Sequence, residues 1–130
     1  MTRVLIVDDQ PSFRRHLRQL LTHAGLTVIG EAGDIPMATE LVRDLKPDIA
    51  VVDVMLPGES GVDGTPQLIA LAPNMRVILV SAHFDSAQVL QKSAEEVGAD
   101  AFITKEDLDL DVVRKWTNKN NYRIFDQEES

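Results

Sequence analysis

Short β-branched apolar runs alternate along this chain with segments of helical period, and no other feature narrows its possible folds so strongly. Such alternation marks a parallel sheet covered by helices, because parallel neighbours must be joined by a long crossover and a helix supplies it. Five runs qualify: Val4 to Val7, Thr27 to Gly30, Ile49 to Val52, Val77 to Val80 and Ala101 to Ile103. Val4 to Val7, Ile49 to Val52 and Val77 to Val80 read as continuously apolar, as strands buried on both faces should.

Between these runs the period lengthens to that of a helix. Phe13, Leu17, Leu20, Leu21 and Ala24 recur on one side of a first helix, with Arg14, Arg15 and Arg18 toward the other. Pro11 suits its first turn and Gly25 its end. A second helix carries Ala38, Leu41, Val42 and Leu45, with Asp34 as N-cap and Pro47 beyond its end. Pro57-Gly58-Glu59-Ser60-Gly61 is a loop by composition, and a short third helix is predicted to open with Thr65 as cap and Pro66 in first position, turning Leu68, Ile69 and Leu71 inward. A fourth helix is predicted from Asp85 or Ser86 to Gly98, burying Val89, Leu90, Ser93, Ala94 and Val97. A fifth is predicted from Asp107, with Leu108, Val112, Val113 and Trp116 on its apolar face. The pattern predicts one domain over residues 1–120 and a polar tail over 121–130.

Composition closes off several function classes. A formal net charge of −8 on 130 residues argues against a nucleic-acid or anionic-membrane surface, both of which need concentrated positive charge. Without cysteine there are no disulfides, thiolate metal sites or thiol nucleophiles. No apolar run has the length of a membrane span and the N-terminus lacks a signal-peptide pattern, so a cytoplasmic location is expected.

In open α/β sheets ligands gather beyond the carboxyl ends of the strands. Here those ends carry Asp8-Asp9, Asp53, Ser81 and Thr104-Lys105. Three carboxylates brought together repel unless a cation joins them, and an all-oxygen site with few protein ligands suits Mg²⁺. An ammonium and a hydroxyl can hold phosphoryl oxygens, and a carboxylate is the available nucleophile, with Asp53 the best placed. His16 and His23 have no further histidine or cysteine at ligand spacing, so a metal role is not expected of them.

The segments Val4-Leu5-Ile6-Val7-Asp8-Asp9, Val51-Val52-Asp53-Val54-Met55-Leu56-Pro57 and Gly98-Ala99-Asp100-Ala101-Phe102-Ile103-Thr104-Lys105 resemble those of two-component response regulator receivers. The resemblance covers nearly the whole chain. It implies a flavodoxin-like fold with a five-stranded parallel sheet in the order 2-1-3-4-5 and helices on both faces. By the same resemblance Asp53 takes a phosphoryl group from a histidine kinase or phosphotransfer protein. Asp8, Asp9, Asp53 and the backbone carbonyl of Met55 hold Mg²⁺, and Lys105 pairs with Asp53 and then with the phosphoryl group. Ser81 and Phe102 form the switch, and the surface of helix 4, strand 5 and helix 5 reads it out through partner binding or dimerisation. Such a protein is a signalling switch that catalyses its own phosphorylation and dephosphorylation rather than an enzyme acting on a separate substrate.

Some positions depart from that pattern. Glu106 replaces the proline that commonly follows the lysine, so a trans peptide is expected there. Met55 and His83 stand where the family tunes the lifetime of the phosphoryl group, and the side chain of Met55 is read as packing. The chain ends after one fold's length and carries no DNA-binding output domain, as a stand-alone receiver or a piece of a longer protein would. Two other readings compete. One is a phosphorylation-independent interaction module, against which the intact set of site residues weighs. The other is a phosphohydrolase, which would need an acid/base aspartate where Met55 stands.

Overall fold

The computed structural model describes residues 1–82 and 87–117. The predicted start of the fourth helix at Asp85 or Ser86, His83 and the polar tail lie outside them. Five strands, β1 (Arg3–Val7), β2 (Thr27–Ala32), β3 (Ile49–Asp53), β4 (Arg76–Ser81) and β5 (Ala101–Thr104), form one sheet in the order β2-β1-β3-β4-β5. Every neighbouring pair is parallel. The order reverses between β1 and β3, so the crossover helices leave on opposite faces and a crevice opens at their strand ends.

The pleat sorts the apolar runs onto these two faces. Leu5, Val7, Ala50, Val52, Val77, Leu79 and Phe102 pack toward α2 (Ile35–Leu45), α3 (Gly61–Leu71) and α4 (Ala87–Glu96). Val4, Ile6, Ile49, Val51, Ile78, Val80, Ala101 and Ile103 pack toward α1 (Pro11–His23) and α5 (Leu110–Arg114). Trp116, in a 3₁₀ turn after α5, is 1% exposed and anchors that end of the chain on the second face.

Asp34 caps α2 as predicted, its carboxylate accepting from the Met37 amide at 2.9 Å. Asp34→Ala is expected to lower stability by about 1 kcal/mol in urea unfolding. An unchanged midpoint would mean that the cap contributes nothing.

Three helical expectations are corrected. The third helix opens one turn earlier than Thr65, at Gly61, because Ser60 caps it by accepting from the Asp63 amide at 3.0 Å. Thr65 instead donates its hydroxyl to the Gly61 carbonyl at 2.7 Å, and Pro66 lies inside the helix, where one carbonyl of the preceding turn loses its donor. The fifth helix begins at Leu110 rather than Asp107, since Asp109 is its cap and Lys105–Asp107 form a separate 3₁₀ turn closed by the Thr104 hydroxyl on Asp107. On α4, Val89 is 69% exposed rather than buried. The inward stripe runs through half-buried Leu90, buried Ala94 and half-buried Val97 at helical spacing, and Val89 stands about 100° off it.

Candidate functional site

Register brings the site together. Val7 pairs with Val52, so Asp8 and Asp53 emerge side by side at the same level. Asp53 pairs with Val80, and Ser81 pairs with Thr104, which puts Ser81 and Lys105 just beyond on the next two strands. The alternation then decides direction. Asp8, Asp53 and Lys105 continue the α1/α5 face of their strands, whereas Ser81 and Phe102 belong to the α4 face.

Oxygens of Asp8, Asp9 and Asp53 lie within 4.8 Å of one another. Asp8 and Asp53 are buried, 1% and 4% exposed, and Asp9 is exposed at the rim. Lys105 Nζ sits against both buried carboxylates, 2.7 Å from Asp8 Oδ2 and 3.2 Å from Asp53 Oδ2. Only the second contact has hydrogen-bond geometry, so Asp8 Oδ2 is a buried acceptor with no hydrogen bond among the described residues. Backbone amides hold the other oxygens: Gln10 donates to Asp8 Oδ1 at 2.8 Å and Met55 to Asp53 Oδ1 at 3.0 Å.

Burial pushes the Asp53 carboxyl from 3.8 up to about 6; the Met55 amide and the Lys105 charge oppose the rise, and the Asp8 charge adds to it. Among the described residues, the two buried carboxylates share a single ammonium. The pair is one positive charge short, and a hard cation with a phosphoryl group is the ligand chemistry that suits it.

Ser81 is fully buried and Phe102 8% exposed, packed inward with Ala94 and Ala99. The Lys105–Glu106 peptide is trans, as Glu106 predicts, and Lys105 reaches both carboxylates without a proline after it. The Met55 side chain is corrected: it is 60% exposed and packs little, because it leaves the strand end toward solvent.

Four contributors escape the sequence pattern. Phe13, read there as one more member of the apolar stripe, has its ring centroid 4.0 Å from Lys105 Nζ. Arg14, read as one of a basic group, donates to the Asp8 carbonyl at 2.6 Å and to Glu31 at 2.9 Å. Arg18 joins the same Glu31, and although burial opposes it, the two guanidiniums hold that carboxyl below its usual range. Gly61 reads as loop, yet a β-carbon in its place would collide with the Asp53 carbonyl. Only an aromatic four residues after Asp9 hinted at any of this.

The family model of the response regulator receiver domain matches residues 4–115. The chain belongs to that family. The receiver is 39% identical over 103 residues to the chemotaxis protein CheY of Thermotoga maritima, covering 79% of this chain and 84% of that protein. It is 33% identical over 116 residues to the transcriptional regulatory protein LnrK of Bacillus subtilis, 88% of this chain but 51% of that one, so it spans about half of that relative's length. Among solved structures, a two-component response regulator of the LuxR family from Aurantimonas sp. superposes with a TM-score of 0.79 at 33% identity, over 90% of this receiver and 84% of that chain. Among the described residues no helix is long and apolar enough to cross a membrane.

Proposed function

We propose that this receiver accepts a phosphoryl group on Asp53 from the phosphohistidine of a histidine kinase or phosphotransfer protein. One Asp53 oxygen attacks phosphorus while the bond from phosphorus to the donor's histidine nitrogen breaks, giving an acyl phosphate and a free histidine. The observation that carries this reading is the buried Asp53 carboxylate beside Asp8, with Lys105 Nζ 3.2 Å from it. A nucleophile so placed is desolvated, and the one nearby ammonium can pass from the carboxylate to the phosphoryl oxygens.

The donor set also fits Mg²⁺, since it is wholly oxygen and leaves the buried Asp8 Oδ2 without a hydrogen bond. Asp8, Asp9, Asp53 and the Met55 carbonyl would hold it, and it would neutralise charge on the transferred group. Ser81 donates its hydroxyl to a phosphoryl oxygen, and Phe102, already packed inward, repacks with it. That repacking biases the surface of α4, β5 and α5 toward a partner or a second copy of the chain. The acyl phosphate is later lost to water at the same site, so the protein acts as a self-catalysed switch.

Intact-mass spectrometry after incubation with acetyl phosphate and Mg²⁺ tests this. The wild type is expected to gain one phosphoryl group and Asp53→Asn none. A wild type that gains nothing and is unperturbed by beryllofluoride would instead support a phosphorylation-independent interaction module.

A further inference from the structure

We propose that Phe13 is a positioning residue for Lys105, resting on the reading of Asp53 as phosphoryl acceptor. The Lys105 ammonium meets three groups: Asp8 Oδ2 at 2.7 Å, Asp53 Oδ2 at 3.2 Å and the Phe13 ring, whose centroid is 4.0 Å away. The first two are counter-ions with which the lysine must exchange contacts when a phosphoryl group arrives. The ring is different in kind. Its negative face attracts the ammonium, shields one side from water and competes for no proton or phosphoryl oxygen.

The shorter of the two ion pairs is to Asp8, the carboxylate that is not the acceptor. Two carboxylates therefore compete for Lys105, and charge alone does not fix it at Asp53. Phe13 supplies a fixed third wall, since α1 is itself pinned by the next residue, Arg14, to the Asp8 carbonyl and to Glu31 on β2. The lysine side chain is only 13% exposed, so the ring faces an ammonium with few waters to replace it.

Lysine-labelled NMR, without phosphodonor or divalent cation, reads the contact itself. The Lys105 ε-methylene protons, assigned through Lys105→Arg, are expected upfield by the ring current, to move to the ordinary lysine position in Phe13→Leu and to stay shifted in Phe13→Tyr. In the acetyl phosphate time course at saturating Mg²⁺, Phe13→Leu is expected to slow phosphorylation roughly 3- to 30-fold, and Phe13→Tyr to stay within about 2-fold of wild type. The Mg²⁺ concentration for half-maximal rate should be unchanged, because a phenyl ring offers no ligand atom to the cation and the cluster is formed by Asp8, Asp9 and Asp53. Leucine keeps the apolar volume, and a melting curve shows whether the fold is intact.

Equal rates in wild type and Phe13→Leu would overturn the positioning role while leaving the acceptor reading standing. An unshifted Lys105 signal in the wild type would overturn the contact. A wild type that takes up no phosphoryl group would overturn the acceptor reading, and the positioning role with it.

Discussion

Asp53→Asn is expected to make the cation-free protein more stable at neutral pH, by up to about 3 kcal/mol, while abolishing phosphoryl uptake. Burial raises the Asp53 carboxyl from 3.8 to about 6, and each tenfold change in proton affinity corresponds to about 1.4 kcal/mol. The sign follows from which state holds the proton. Below about pH 4 the carboxyl is neutral both folded and unfolded and carries no penalty. Between about pH 4 and 6 the unfolded chain ionises first, so stability is lost as pH rises, and above about 6 the full penalty applies. Asparagine keeps the oxygen that accepts from the Met55 amide and never ionises. Urea unfolding in chelator at pH 7.5 and at pH 4 measures the gap, which should be largest at the higher pH and nearly vanish at the lower. Added Mg²⁺ should narrow it by stabilising the wild type. A variant no more stable than wild type at pH 7.5 would show that Lys105 already compensates the buried pair.

Gly61→Ala is expected to damage both fold and site. A β-carbon built there lies 2.1 Å from the Asp53 carbonyl oxygen, 2.9 Å from its carbonyl carbon and 3.0 Å from a Val52 methyl. These are backbone and core atoms that cannot swing aside, so either the start of α3 or the end of β3 must move. The Gly61 amide also donates to the Val54 carbonyl at 3.0 Å, tying that same turn to the strand. Overpacking of this kind destabilises by about 1–3 kcal/mol or more. Because the displaced carbonyl belongs to Asp53, the proposed acceptor, phosphorylation by acetyl phosphate should slow by roughly 100-fold, the order of effect a 1 Å misplacement produces. Melting temperature and the mass-spectrometric time course check the two parts. Wild-type values in both would mean that the turn relaxes freely.

The two expectations concern one carboxylate from opposite directions. Asp53 carries an electrostatic penalty in the resting protein that its ligands would relieve, and Gly61 allows α3 to approach closely enough to hold it there. Sites that store such a penalty are where function sets a residue against stability.

Strand alternation and the residues at the strand ends were legible in the sequence because they depend on local period and on rules common to parallel sheets, whereas the strand order was implied only by the resemblance to receivers. Asp8, Asp53, Ser81 and Lys105 could be named as a set for that reason, and the register then brought them together. Helix starts were less legible. Thr65-Pro66 and Ser60 both offer an N-cap, and packing of α3 on its neighbours selected the earlier one. In the same way Asp109 prevailed over Asp107 once the Thr104 hydroxyl had engaged Asp107. What only the tertiary structure decided is which neighbours tune the set: Phe13 over Lys105, Arg14 and Arg18 on Glu31, and Gly61 beneath Asp53. These join residues of different elements through side-chain reach and close backbone approach, and neither leaves a periodic trace in a sequence.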